Sequence, residues 1–299
     1  MIKRTLYFGN PAYLSMRLNQ LVVKMPESGD VFRTIPIEDI GIVILDNKQI
    51  TMTQGLLEAL IDNNCAVISC GSNHMPIGLM LPLYGNTIQN ERFRQQIDVS
   101  VPLKKQLWQQ TIQIKISNQA AALRLTTGEE HGNMKIWAKN VRSGDPDNLE
   151  ARAAAYYWKN FFPENSRFIR GRNEDAPNGL FNYGYAVLRA IIARALVGSG
   201  LLPTLGIHHH NRYNAYCLAD DIMEPYRPYI DLIVHSIVKK YGSGELTDEA
   251  KKDMLSIPTT EVVVNGKRSP LMIAASITSA SLAKCFNGEV RKIAYPEIT

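Results

Sequence analysis

Between Gly206 and Asp231 the chain carries three consecutive histidines, His208, His209 and His210, followed by Asp220, Asp221, Glu224 and Arg227, with prolines between them. Imidazole and carboxylate together are ligands for a catalytic divalent ion, and such an ion most often acts on phosphoryl or acyl centres. Neighbouring side chains diverge in direction, so one histidine of the three and one aspartate of the two can face a common ion. Glu224 follows Asp221 by three residues on the same helical face, placed either to support the ligands or to pair with Arg227.

Glu150, far upstream, opens a helical stretch three residues after Asp147. That spacing suggests a capping box, in which the glutamate answers the N-cap backbone. The other reading makes Glu150 a third ligand that converges with the downstream imidazole and carboxylate. Arg167, Arg170 and Arg172, with Phe168 interleaved, form the sharpest basic cluster. A guanidinium fork suits a DNA phosphate, while the following Glu174 and Asp175 suit a loop of internal ion pairs.

These residues need a scaffold, and hydropathy patterning predicts its outline. Residues 1–83 read as short, β-branched, turn-bounded strands at 5–8, 17–24, 31–35, 41–45, 66–69 and 77–81. One helix follows Thr53 as N-cap, with Leu56, Leu57, Leu60 and Ile61 at helical spacing. Residues 84–100 are polar, contain the turn signal Gly85-Asn86, and read as a linker. From residue 101 helical periodicity takes over, in 101–123, 150–162, 180–198 and 229–241, with a last helix over 267–288 after a basic turn. Residues 180–198 are apolar around nearly the whole circumference, which predicts a central helix. The expected fold is α+β: a β-rich, sandwich-like N-terminal domain with one helix, then a mainly α-helical catalytic domain over 101–299.

Composition bounds the function without selecting it. In 299 residues, 45% are hydrophobic and 20% charged, as in a folded globular chain with a sizeable core. The +5 balance of 33 basic and 28 acidic residues permits a basic face for a polyanion but does not demand one. Cys65, Cys70, Cys217 and Cys285 lack zinc-knuckle or disulfide spacing and read as reduced thiols. The N-terminus lacks the apolar stretch of a secretory signal, and Arg189 and Arg194 interrupt the longest apolar run, so a cytoplasmic protein without a membrane span is expected.

Asn148-Leu-Glu150, Asn182-Tyr-Gly-Tyr-Ala186, Leu202-Pro-Thr-Leu-Gly-Ile-His208 and Asp221-Ile-Met-Glu-Pro-Tyr-Arg-Pro228 together resemble the CRISPR-associated spacer-acquisition integrase family. The likeness extends to Arg4-Thr-Leu-Tyr-Phe, Ile35-Pro-Ile-Glu-Asp-Ile and Ser269-Pro-Leu-Met, and so covers nearly the whole chain. The resemblance implies a β-rich N-terminal and a helical C-terminal domain. It also implies a metal-dependent DNA endonuclease and integrase, with Glu150, His208 and Asp221 as catalytic metal ligands and Mg²⁺ or Mn²⁺ as the ion. His208 could serve there as ligand or as general base. The implied reaction is transesterification: the three-prime hydroxyl of a short DNA fragment attacks a phosphodiester at the edge of a CRISPR repeat. Double-stranded DNA, a second copy of the chain and the small second core adaptation protein are the implied partners. Two other readings stay open, a DNA-binding scaffold with a degenerate metal site and a general metal-dependent nuclease on branched DNA.

Overall fold

The computed structural model describes residues 3–26, 32–162, 168–171 and 174–299. The chain divides into two compact units, Met1–Thr87 and Ile88–Thr299. In the first lie strands β1 (Arg4–Phe8), β2 (Ala12–Arg17), β3 (Gln20–Lys24), β4 (Phe32–Pro36), β5 (Ile40–Leu45) and β6 (Ile50–Met52), helix α1 (Gln54–Asp62), then β7 (Ala66–Cys70) and β8 (Pro76–Met80). They form two four-stranded sheets, ordered β1-β5-β7-β8 and β4-β3-β2-β6. Both sheets are mixed, since β1, β5 and β7 run parallel, as do β2 and β6.

One core serves both sheets: Leu14 and Leu21 from one, Ile40 and Val43 from the other, with Leu56 and Leu60 of α1 in the same cluster. The continuous apolar run of β5 is buried at every position but its last, as expected for a parallel strand covered on both faces. The Thr53 hydroxyl accepts from the Leu56 amide and starts α1. The single strand expected over 17–24 is instead a hairpin of β2 and β3. Leu18 and Asn19 both take positive φ, 50° and 57°, which is the geometry of a two-residue turn matched to strand twist. A leucine in that position hid the turn from composition-based reading.

The second unit is mainly helical: α2 (Gln89–Ile97), α3 (Val101–Thr127), α4 (Gly132–Asn140), α5 (Leu149–Phe161), α6 (Asn178–Gly198), α7 (Cys217–Met223), α8 (Arg227–Tyr241), α9 (Asp248–Met254) and α10 (Leu271–Phe286). Strands β9 (Glu261–Val264), β10 (Lys267–Pro270) and β11 (Pro296–Glu297) make a small sheet ordered β10-β9-β11. Two expectations change here. The polar segment 84–100 is not all linker, because 89–97 folds as α2 and buries Gln96. The Gln96 amide accepts from Leu202 N at 2.8 Å and donates to Leu202 O at 3.0 Å and Leu205 O at 3.1 Å, so it braces the chain entering the histidine loop. Residues 267–270, opening with Lys267 and Arg268, pair with β9 across an Asn265-Gly266 turn, both at positive φ, and the last helix begins only at Leu271.

Helix α6 is, among the described residues, the one helix long and apolar enough to cross a membrane. Of its apolar window, 72% is buried within the protein, as in the core helix of a folded domain. Helix α3, started by the Ser100 hydroxyl accepting from Leu103 N and ended by Gly128 at φ 78°, packs against α4, α5 and α8.

Candidate active site

Asp221 lies on α7 with no exposed surface. Its Oδ2 accepts from the His208 amide at 2.9 Å, and its Oδ1 accepts from the His209 amide at 3.3 Å and the His209 Nδ1 at 2.5 Å. Gly206 makes this approach possible. A Cβ there would stand 2.4 Å from the His209 carbonyl oxygen and 2.8 Å from Asp221 Oδ2, closer than side chains tolerate.

The two imidazoles differ in character. His208 stacks flat on the buried indole of Trp108 from α3, centroids 4.1 Å apart and planes parallel, while His209 meets the same indole edge-on at 5.7 Å. Partial burial lowers the His208 pKa, against the opposing pull of Asp221, and so favours the neutral ring. The hydrogen bond to Asp221 raises that of His209, against partial burial. The structure thus separates the neighbours: His208 stacks on the indole, and His209 is the partner of the aspartate. Asp220, the other member of the acidic pair, takes the Arg189 Nε at 2.6 Å and the Asn214 amide at 2.7 Å and braces the loop.

Glu150 enters from α5, and not through a capping box. Asp145 caps that helix, its two oxygens accepting from Leu149 N at 3.0 Å and Glu150 N at 2.9 Å around a left-handed Asn148. Asp147 turns away to Arg142 on the surface. The Glu150 carboxylate is therefore released toward α3, where the Lys115 ammonium meets its Oε1 at 2.7 Å. Lys115 also meets Glu224 Oε2 at 2.5 Å, and Glu224 Oε1 accepts from Arg227 Nε at 2.8 Å. Burial opposes the ionisation of Glu224, but Arg227 and Lys115 outweigh it and hold the carboxyl down at about 2. For Lys115, burial pulls the pKa down and the two glutamates more than reverse it.

Lys115 was the residue that patterning passed over. Its signal is an interruption: Trp108, Ile112, Lys115 and Gln119 form one buried helical stripe, and a lysine in such a stripe needs carboxylates within reach. Within the arginine cluster, the Arg170 guanidinium donates to Asn178 Oδ1, Asn182 Oδ1 and the Gly171 carbonyl and lies 5.2 Å from the Tyr185 ring centroid. Arg167 and Arg172 lie outside the described residues.

Among the described residues no three His, Cys, Asp or Glu side chains already stand in a metal-holding group. The donor set still fits a hard divalent ion, since carboxylate oxygens and an imidazole nitrogen are its ordinary protein ligands. Glu150 and Glu224 together already hold a cationic group, the Lys115 ammonium.

Behind the site lies a fully buried acid. Asp231 accepts from Tyr157 OH at 2.9 Å and Tyr185 OH at 2.6 Å, and Arg227 lies 4.5 Å over the Tyr185 ring. Burial pushes Asp231 up to about 7, against the two tyrosine bonds. From the ordinary aspartate value of 3.8 up to that value the folded protein holds a proton that the unfolded chain has released, so stability falls as pH rises across this window. The total is on the order of a few kcal/mol. Thermal melts at pH 5 and pH 8 should show the loss, and Asp231→Asn should flatten it; an unchanged slope in the variant would remove Asp231 as the source.

Residues 6–255 match the family model described as CRISPR associated protein Cas1. The chain is 34% identical over 306 residues to a CRISPR-associated endonuclease Cas1 of Neisseria meningitidis, covering 100% of this chain and 97% of that protein. Among solved structures it resembles a casposase bound to integration product, with a TM-score of 0.78 at 19% identity, covering 98% of this chain and 92% of that one. It also resembles a chain of a Cas6-RT-Cas1–Cas2 complex, with a TM-score of 0.74 at 19% identity, covering 98% of this chain and 36% of that longer one.

Proposed function

The chain belongs to the Cas1 family of CRISPR-associated proteins, and we propose that it is a metal-dependent DNA endonuclease and integrase of CRISPR adaptation, joining short DNA fragments to repeat ends by transesterification. The observation that carries this reading is the meeting of three separate elements. Asp221 of α7 holds the backbone of His208 and His209, His208 lies on Trp108 of α3, and Glu150 of α5 is drawn to Lys115 of that same helix.

Glu150, His208 and Asp221 are the residues that would hold Mg²⁺ or Mn²⁺, and an ion bound there supplies Lewis-acid polarisation of a phosphodiester. The protein's own part is positional. Trp108 fixes the plane of His208, His209 and two backbone amides fix Asp221, Lys115 holds Glu150 and Glu224 in register, and Arg227 with Lys115 keeps Glu224 ionised. No protein nucleophile is needed, because the three-prime hydroxyl of the fragment attacks directly and the site orients it. We further propose double-stranded DNA, a second copy of the chain and a small Cas2-type protein as partners, with action in the cytoplasm; the likeness to a casposase bound to integration product and to a Cas6-RT-Cas1–Cas2 complex supports the nucleic acid and the Cas2-type protein.

A joining assay with a short duplex and a supercoiled plasmid bearing the repeat tests the reading. Joined product should form only with divalent metal and the small partner protein present. Cutting with no joined product would favour the branched-DNA nuclease, and binding with neither would favour the scaffold.

A further inference from the structure

Helix α3 sets a positive charge against the very carboxylate that a divalent ion would need. The Lys115 ammonium, on a residue 8% exposed, meets Glu150 Oε1 at 2.7 Å and Glu224 Oε2 at 2.5 Å. The two glutamates are held unequally. Glu224 has 7% of its side chain exposed and a second cation, since its Oε1 accepts from Arg227 Nε at 2.8 Å. Glu150 has 26% of its side chain exposed, and among the described residues Lys115 is the one cation it pairs with. Lys115 also stands about two turns along α3 from Trp108, the indole on which His208 stacks, so ammonium and imidazole are referred to the same helix.

A buried ammonium between two carboxylates does for them what a bound cation would do, which is to cancel their mutual repulsion. We propose that Lys115 is the resident counter-ion of the metal site, and that a divalent ion binds by exchange, taking Glu150 from the ammonium while Glu224 keeps it. The unequal grip sets the direction. Glu150 gives up one contact for an ion of twice the charge, whereas Glu224 stays locked by Arg227, so Lys115 is never left as an unpaired buried charge. A tethered ammonium also has a high effective concentration at the carboxylate, which a monovalent ion of equal charge does not overcome. The lysine thereby reserves Glu150 for divalent ions. It is a positioning residue in this scheme and contacts neither the ion nor the DNA. This rests on the metal-dependent function proposed above.

Mn²⁺ binding to the full chain without DNA, read by the electron paramagnetic resonance of the free ion, tests the exchange independently of any strand joining. Lys115→Met removes the competitor, so Mn²⁺ should bind roughly ten- to hundredfold more tightly than to wild type. A lysine that served only the fold would leave binding unchanged or weaken it. Lost positive charge alone would also tighten binding, and the double variant Lys115→Met with Glu224→Gln separates the two causes, because it removes one charge of each sign and still frees Glu150. That variant should bind Mn²⁺ at least about fivefold more tightly than wild type. It also decides by itself where Lys115→Met, with two carboxylates left side by side, does not fold. Affinity at or below that of wild type in either folded variant would overturn the exchange. Absence of Mn²⁺ binding in wild type and both variants would instead remove the metal-dependent function, and the exchange with it.

Discussion

Asp221→Asn should lower strand joining roughly a thousandfold while DNA binding persists, the scale seen when a fixed electrostatic contact to a transition state is removed. The aspartate accepts three hydrogen bonds, two from backbone amides and one from His209, and has no exposed surface. Asparagine is the same size but turns one acceptor into a donor that must face an N–H group. It also deletes the charge that pairs with His209 and that would hold a divalent ion. Two variants separate chemistry from folding. Glu150→Gln should lose joining to a similar extent with a melting temperature near wild type, since that side chain is 26% exposed and only one of its bonds changes character. Asp221→Asn should lose both joining and thermal stability. Single-turnover joining rates and thermal melts read the two effects apart, and joining at the wild-type rate by either variant would remove that residue from the reaction.

Glu224→Ala should cost about 3–5 kcal/mol of folding stability and lower the melting temperature by roughly 10 °C. The reason is what remains behind. Lys115, 8% exposed, keeps only Glu150, and the Arg227 Nε loses its carboxylate within the protein. An unpaired buried cation is far more costly than a missing ion pair. Adding Lys115→Met to Glu224→Ala should therefore recover part of the loss, a non-additivity that a double-mutant cycle measures. The same pair predicts acid sensitivity. Glu224 has its folded pKa depressed to about 2, so its contribution is fully present above the ordinary glutamate value of 4.5 and drains away as pH falls toward 2. Melts of both variants against pH check the cycle and the acid limb together, and an additive double mutant would show that Lys115 and Glu224 do not share a buried environment.

Much of the scaffold was legible because periodicity reports which face of an element is apolar. The helices over 101–127 and 178–198 and the Thr53 cap follow directly from such patterns. The histidine loop was visible by residue type alone. What stayed hidden were partnerships across long stretches of chain. Asp145 and Asp147 stand equally ready to cap α5, and only the left-handed Asn148 decides between them. Lys115 looks like any helix lysine until Glu150, 35 residues on, and Glu224 on a third element are brought to it. Gln96 looked like part of a polar linker because its partners are backbone atoms, which leave no trace in a side-chain pattern. The short β6 and the Leu18-Asn19 turn are lost for a different reason, since three residues or a two-residue turn carry too little periodicity to register.

Helix α3 touches His208 through Trp108, both glutamates through Lys115, and the chain beyond Glu224 through Asn118, whose amide donates to the Pro225 carbonyl. At 1.5 Å per residue these three anchors span about 15 Å of one rigid rod. Thermal displacement of that rod carries the imidazole and the carboxylates in the same direction at the same moment. Their separations then fluctuate much less than their absolute positions, so the site can ride on a breathing helical domain and keep its internal spacing.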